Sequence, residues 1–141
     1  MNYTSEQVLS LLPQRAPIVM VDGARQDEDH SFARLTIAPD NWFVDGTTFL
    51  EAGVIEHQAQ SVAVCLGMRA CQCQPSRNPH QIGFIAEVKN LHITRLPKVG
   101  ETLQTSVSFK TEVEGVLLMS AQTECEKEII ACSELKIFLP A

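Results

Sequence analysis

From residue 103 to 139, apolar and polar side chains alternate with a period of two, and this run constrains the fold more than any other part of the chain. Leu103, Thr105, Val107 and Phe109 fall on one face. Leu117, Met119, Ala121, Thr123 and Cys125 fall on the next, and Ile129, Ala131, Ser133, Leu135, Ile137 and Leu139 on the last. Glu114–Gly115 and Glu126–Lys127 separate the three runs and read as tight turns. Strands of this kind build an antiparallel sheet with one apolar face. "IGFIAEVKNLHI" (82–93) reads as a further strand. An apolar face must be covered by another element.

Only "FLEAGVIEHQAQSVAVCLG" (49–67) is long and apolar enough to cover it. The pattern predicts a helix from about Phe49 to Leu66. Thr48 and Glu51 match a capping box at its start, and Gly67 stands where a helix ends. Upstream, "TSEQVLSLL" (4–12) predicts a short helix capped by Thr4 or Ser5 and followed by Pro13. "PIVMVDGA" (17–24) and "SFARLTIAP" (31–39) predict strands, with "DNWFVDGTT" (40–48) a loop. Residues 68–80 read as a polar loop. The order of elements implies an α+β architecture in which the sheet curls around one helix. The expectation is a single domain spanning 1–141.

Hydrophobic residues make up 45% and charged residues 20%, which suits an ordinary packed core. The net charge of −6, with no long basic run, argues against nucleic acid as partner. No apolar run approaches the roughly 18 residues of a membrane span. The N-terminal residues lack a basic stretch followed by an apolar core, so no secretory signal is expected and the cytoplasm is the expected location. Five cysteines cannot all pair internally, and reduced thiols are expected.

Glu56 and His57 stand in the middle of this apolar helix. Here three segments resemble the 3-hydroxyacyl-[acyl carrier protein] dehydratases of the hot-dog fold. "LLPQRAPIVMVDGA" (11–24) is similar to their opening, which reads leucine-leucine-proline-histidine-arginine, then a proline and an apolar run ending in valine-aspartate. "IEHQAQ" (55–60) is similar to their helix motif of glutamate, three mostly small residues and glutamine. "LPKVGETL" (96–103) is similar to their proline-rich turn before a strand.

The resemblance implies a hot-dog fold and a dimer, with each site spanning the interface. It implies acyl thioester chemistry in fatty-acid or polyketide-type synthesis, on an acyl carrier protein or coenzyme A thioester, with no cofactor. Dehydration needs a base for the α-proton and an acid for the departing 3-hydroxyl. In the family a helix carboxylate serves the hydroxyl, and Glu56 matches it. The family's base is a histidine in a histidine-phenylalanine-proline-glycine loop before the helix. Trp42 stands at that spacing here, and no histidine lies between 31 and 56. Gln14 likewise replaces the histidine of the opening motif.

Asp45, Asp40 and His57 are therefore the candidates for a replacement base. His57 also has a plainer reading as a satisfied core or interface histidine, since helix neighbours point about 100° apart. Loop aspartates commonly make turns. Gln60, one turn after Glu56, is placed to hydrogen-bond to it. Trp42 is read either as closing an acyl tunnel or as filling the core. The oxyanion donor implied by the family falls at Gly83–Phe84. "CQC" (71–73) with His80 lacks the fourth ligand zinc needs, so no metal is expected. Three readings follow: a dehydratase with an unusual base, a hot-dog thioesterase, or a non-catalytic subunit of an active dehydratase. The chain is accordingly expected as a homodimer or as a dimer with a related subunit.

Overall fold

The computed structural model describes residues 1–28, 30–73 and 84–138. In chain order these form β1 (Asn2–Tyr3), α1 (Ser5–Leu9), β2 (Gly23–Gln26), β3 (Ser31–Thr36), β4 (Val44–Asp45) and β5 (Thr48–Phe49). Then follow α2 (Glu51–Cys73), β6 (Phe84–Ile93), β7 (Thr102–Val113), β8 (Val116–Cys125) and β9 (Glu128–Phe138). Seven strands make one antiparallel sheet in the order β1-β2-β3-β7-β8-β9-β6, and β4–β5 is a separate ribbon. α2 packs against β2, β3, β7 and β8. This is the hot-dog architecture, an antiparallel sheet around one long central helix. No helix among the described residues is long and apolar enough to cross a membrane.

The alternation that predicted the sheet holds along β8, where Leu117, Met119, Ala121, Thr123 and Cys125 are all buried. It fails at Phe109 of β7, which is 51% exposed against expectation, and it slips once in β9. Glu124 faces Ile129 and Thr123 faces Ala131, so Ile130 is an extra residue opposite neither. This bulge turns Ile130 inward and leaves Ile129 47% exposed, against the expectation for Ile129. β3 alternates with Ser31, Ala33 and Leu35 inward, and Ile37 continues that face beyond it.

Three other expectations change. α2 runs through Gly67 to Cys73, because nothing from Met68 to Cys73 breaks a helix and Met68 adds a fully buried side chain. That burial offsets the roughly 1 kcal/mol a mid-helix glycine costs. Thr48 lies in β5, paired with Asp45, and not at a helix cap. The capping box forms instead at α1, where the Thr4 hydroxyl accepts from Gln7 N–H and the Gln7 side chain accepts from Thr4 N–H. Finally, residues 18–22 are not a strand. β2 starts at Gly23, and before it the Ile18 carbonyl and the N–H and carbonyl of Met20 are satisfied by side chains of α2.

The core has two apolar clusters along α2. Val54 and Phe49 pack with Met20, Leu35, Ile37, Leu103 and Ile130. Val62, Val64, Cys65 and Met68 pack with Leu117, Met119, Leu135 and Ile137. Between them along the helix, His57, Gln58, Gln60 and Ser61 are buried too.

Both predicted turns form. Glu114 and Gly115 have φ of 51° and 79°, and Glu126 and Lys127 have 52° and 66°. Two positive φ values in a two-residue hairpin loop match a sheet's twist, but they cost an ordinary side chain about 1–2 kcal/mol per residue. Lys127→Gly removes that penalty and adds back part of it as unfolded-chain entropy. The expected result is a gain of about 0.5–1 kcal/mol in urea denaturation. A loss of stability would show that the turn is not strained at Lys127.

Candidate active site

His57 faces the inside of the sheet and is fully buried. Its Nδ1 lies 2.7 Å from the carbonyl oxygen of Met20, and its Nε2 lies 2.8 Å from Thr105 Oγ1. A carbonyl only accepts, so Nδ1 carries the proton and Nε2 accepts from the Thr105 hydroxyl. Thr105 Oγ1 then accepts from Thr123 Oγ1 at 2.6 Å, and Thr123 Oγ1 accepts from Gln58 Nε2 at 2.9 Å. Ser133 Oγ donates to Gln58 Oε1 at 2.6 Å. The chain of bonds thus links α2 to β7, β8 and β9, with every direction determined. Burial holds the His57 imidazolium pKa down to about 4, against smaller upward contributions from the Met20 carbonyl and Asp22. Its ring is therefore neutral near pH 7. Both nitrogens are engaged, so the candidacy of His57 as base is corrected to a place in the core.

Glu56, the next residue, points elsewhere and is half-buried. Gln60 Nε2 donates to Glu56 Oε1 at 2.8 Å, as the one-turn spacing predicts. The same nitrogen donates to the carbonyl oxygen of Ile18 at 2.8 Å. Gln60 Oε1 accepts from Met20 N–H at 2.6 Å. The Met20 N–H is a donor, so the amide orientation is forced and its NH₂ must face Glu56. One buried side chain thereby ties the 18–20 segment to α2 and presents a donor to the helix carboxylate.

The loop before α2 packs over the helix start. Phe43 and Phe49 meet edge to face with ring centroids 6.5 Å apart. Gly53, one turn before Glu56, is needed beneath them, since a Cβ there would lie 2.6 Å from the Phe49 ring and 2.7 Å from Phe43 Cβ. Asn41 Oδ1 accepts from Phe43 N–H at 2.9 Å, and Asn41 Nδ2 contacts Met20 Sδ at 3.4 Å. Trp42 is 62% exposed on this loop, so it does not fill the core. Asp45 is exposed in β4. Among the described residues neither Asp45 nor Trp42 has a hydrogen bond to Glu56, and Asp40 is exposed.

Gly83 and His80 lie outside the described residues. Phe84 enters through the pairing of its backbone with Phe138. Among the described residues no three metal-ligating side chains cluster. Sequence reasoning missed the partners of His57. Thr105, Thr123 and Ser133 were visible as polar residues on the apolar parity, and that parity was the signal that something polar on the helix would meet them.

With this geometry in view, the family model ApeP-like (ApeP dehydratase) matches residues 6–141. A 3-hydroxyacyl-[acyl-carrier-protein] dehydratase FabZ from Burkholderia mallei is 25% identical, over 95% of this chain and 89% of that protein. The fold is similar to the dehydratase heterocomplex ApeI:P from Xenorhabdus doucetiae, with TM-score 0.76 and 16% identity, over 95% of this chain and 91% of that one. It is also similar to a hypothetical thioesterase with coenzyme A from Streptococcus pneumoniae, with TM-score 0.64 and 6% identity, over 83% of each chain.

Two measurements check the site's frame. Gln60→Met leaves the Met20 N–H and the Ile18 carbonyl without partners, at about 1–3 kcal/mol each. A fall in Tm of about 5–15 °C is expected by calorimetry, and an unchanged Tm would show that the amide is not holding the segment.

The second measurement is pH dependence. Unfolded His57 titrates near 6.5 and folded His57 near 4, so the unfolded chain takes up the proton first as pH falls. The stability His57 contributes is complete above pH 6.5 and is lost as pH falls toward 4, by about 3 kcal/mol. Urea midpoints of the native chain should therefore drop across that window more steeply than those of His57→Gln. Parallel curves would mean that His57 is not a neutral core residue.

Proposed function

We propose, from the premise that this chain belongs to the ApeP-like dehydratase family, that it is one subunit of a dehydratase acting on 3-hydroxyacyl thioesters and pairs with a second, dehydratase-like subunit. The observation that carries this reading is the separation of the two halves of the chemistry. The helix carboxylate Glu56 is present and held by Gln60. The loop position of the family's base is an exposed tryptophan, and the histidine beside Glu56 has both ring nitrogens bonded within the protein.

A site that spans an interface can be completed from the other side. In this reading the second subunit supplies the loop histidine and this chain supplies Glu56. The histidine removes the α-proton, the C–O bond breaks, and the Glu56 carboxyl gives its proton to the departing oxygen. The products are a 2-enoyl thioester and water. The opposite site of such a pair, built around Trp42, lacks a base and is silent, because an indole N–H only donates. Trp42 and Leu50, 62% and 39% exposed, flank the start of α2 and supply apolar surface suited to burial against a partner. The ApeI:P structure is a dehydratase heterocomplex, which supports pairing with a second subunit. The thioesterase alternative has only a likeness of fold at 6% identity behind it.

The test is dehydration of a 3-hydroxyacyl carrier-protein thioester by the chain alone, by a dehydratase-like partner alone, and by the two together. The chain alone should run about 10²–10⁴-fold below the pair, the contribution of a positioned base. Glu56→Gln in this chain should lower the pair's turnover by a similar factor. Full activity of the isolated chain would overturn the subunit reading. A pair unaffected by Glu56→Gln would place the working carboxylate in the partner.

A further inference from the structure

Glu101 lies in the turn between β6 and β7, where it receives more donors than a surface carboxylate normally does. Arg95 Nη1 donates to its Oε1 at 3.2 Å and Arg95 Nη2 to its Oε2 at 3.1 Å, a two-pronged fit of fork to carboxylate. Lys98 N–H donates to Oε1 at 2.8 Å. The thiol of Cys125, a buried residue of β8, donates to Oε2 at 3.0 Å. Arg95 also reaches Glu128 of β9, with Nε 3.5 Å from Oε1. The arginine, and after it the thiol, hold the Glu101 carboxyl pKa down to about 2. The turn is thus bolted to β8 and β9.

The same turn grips the loop in front of α2. Phe49 N–H donates to the Pro97 carbonyl at 2.9 Å, and Val99 N–H donates to the Thr47 carbonyl at 2.9 Å. Together these two bonds make an antiparallel bridge between Thr48 and Lys98. On the turn's other side, Gly100 N–H donates to the Ile37 carbonyl at 2.8 Å and Ile37 N–H to the Glu101 carbonyl at 3.0 Å. Gly100 takes a φ of 90°, which a side chain would strain. Phe49 is fully buried and lies on Gly53, one turn before Glu56. The contacts run without a gap from Glu101, through 97–99 and Phe49, to the helix turn that carries the acid.

We propose that Glu101 is a positioning residue of the dehydratase site: through Arg95, Cys125 and the 95–101 turn, it sets where the Trp42 loop and the Glu56 turn of α2 stand relative to the substrate. This rests on the dehydratase reading above for its catalytic consequence, but not for its structural one. A loop held at two backbone bonds keeps its place only if the turn holding it keeps its shape. Neutralising the carboxylate removes the shape's cause, because a glutamine turns an NH₂ toward donors whichever way it flips.

Trp42 is the chain's single tryptophan and sits on the loop in question, so it reports loop order without a label. The experiment compares the native chain with Glu101→Gln and with Arg95→Lys, whose single ammonium cannot span both oxygens. The expected result is an unchanged far-UV spectrum with faster local depolarisation in time-resolved Trp42 anisotropy for both variants. In the complex with a dehydratase-like partner, turnover falls by about 10–100-fold with KM nearly unchanged, the mark of a misplaced acid. Unchanged Trp42 anisotropy in both folded variants would overturn the proposal. So would loosened Trp42 with native turnover. If the native complex itself fails to turn over, the dehydratase reading is what fails, and the anisotropy alone then decides whether Glu101 positions the loop.

Discussion

The side-chain amide of Gln60 is the joint on which the arrangement depends. It is buried, its oxygen takes the Met20 N–H, and its nitrogen serves both the Ile18 carbonyl and Glu56. The 18–20 segment runs beside α2 with no strand partner among the described residues, and buried backbone groups cannot be left unpaired without a cost of about 1–3 kcal/mol each. Gln60, with His57 on the Met20 carbonyl, supplies what a neighbouring strand would have supplied. Anchoring the segment and orienting the acid are therefore the same act. Loss of the amide disturbs both.

A layer of polar groups in the middle of a core is tolerable only when complete. Here the His57–Thr105–Thr123–Gln58–Ser133 sequence closes with each donor matched to an acceptor. An apolar layer of the same volume would stabilise the fold at least as well, since net gains from hydrogen bonds are modest. What the polar layer adds is register. A helix that slid or rotated against β7, β8 and β9 would strand several of these groups at once, whereas an apolar helix could slide with little penalty. Register matters because Glu56 points away from the layer, and its placement follows from that of His57.

The other end of the site is held from outside the helix. Glu101 organises a turn, the turn holds Thr47, Thr48 and Phe49, and Gly53 gives Phe49 room to sit on α2. A family member that has lost the loop histidine but keeps this scaffold retains the acid in place. It also carries an exposed tryptophan, Trp42, on the loop before α2. Both features fit the proposed reading, in which the chain completes another subunit's chemistry.

Much of this was legible beforehand for a simple physical reason. Strand parity, tight turns and a single long apolar helix are local properties, and with only one helix available to cover the sheet they leave few architectures open. The motif around Glu56 pointed to the family, and the i, i+4 spacing pointed to the Gln60 bond. Other features depended on partners distant in the chain. Whether His57 is a base or a core residue turned on Thr105 and Met20, 48 and 37 residues away. The bulge at Ile130 turned on how β9 meets β8. The failure of 18–22 to form a strand turned on polar side chains of a helix four decades of residues later. By itself the sequence determined which faces must be buried and which acid the helix carries, because those follow from side-chain periodicity and chemistry along the chain. The tertiary structure decided which polar groups meet, because a hydrogen bond needs its two partners within about 3 Å and aligned, and only the packed sheet and helix bring them there.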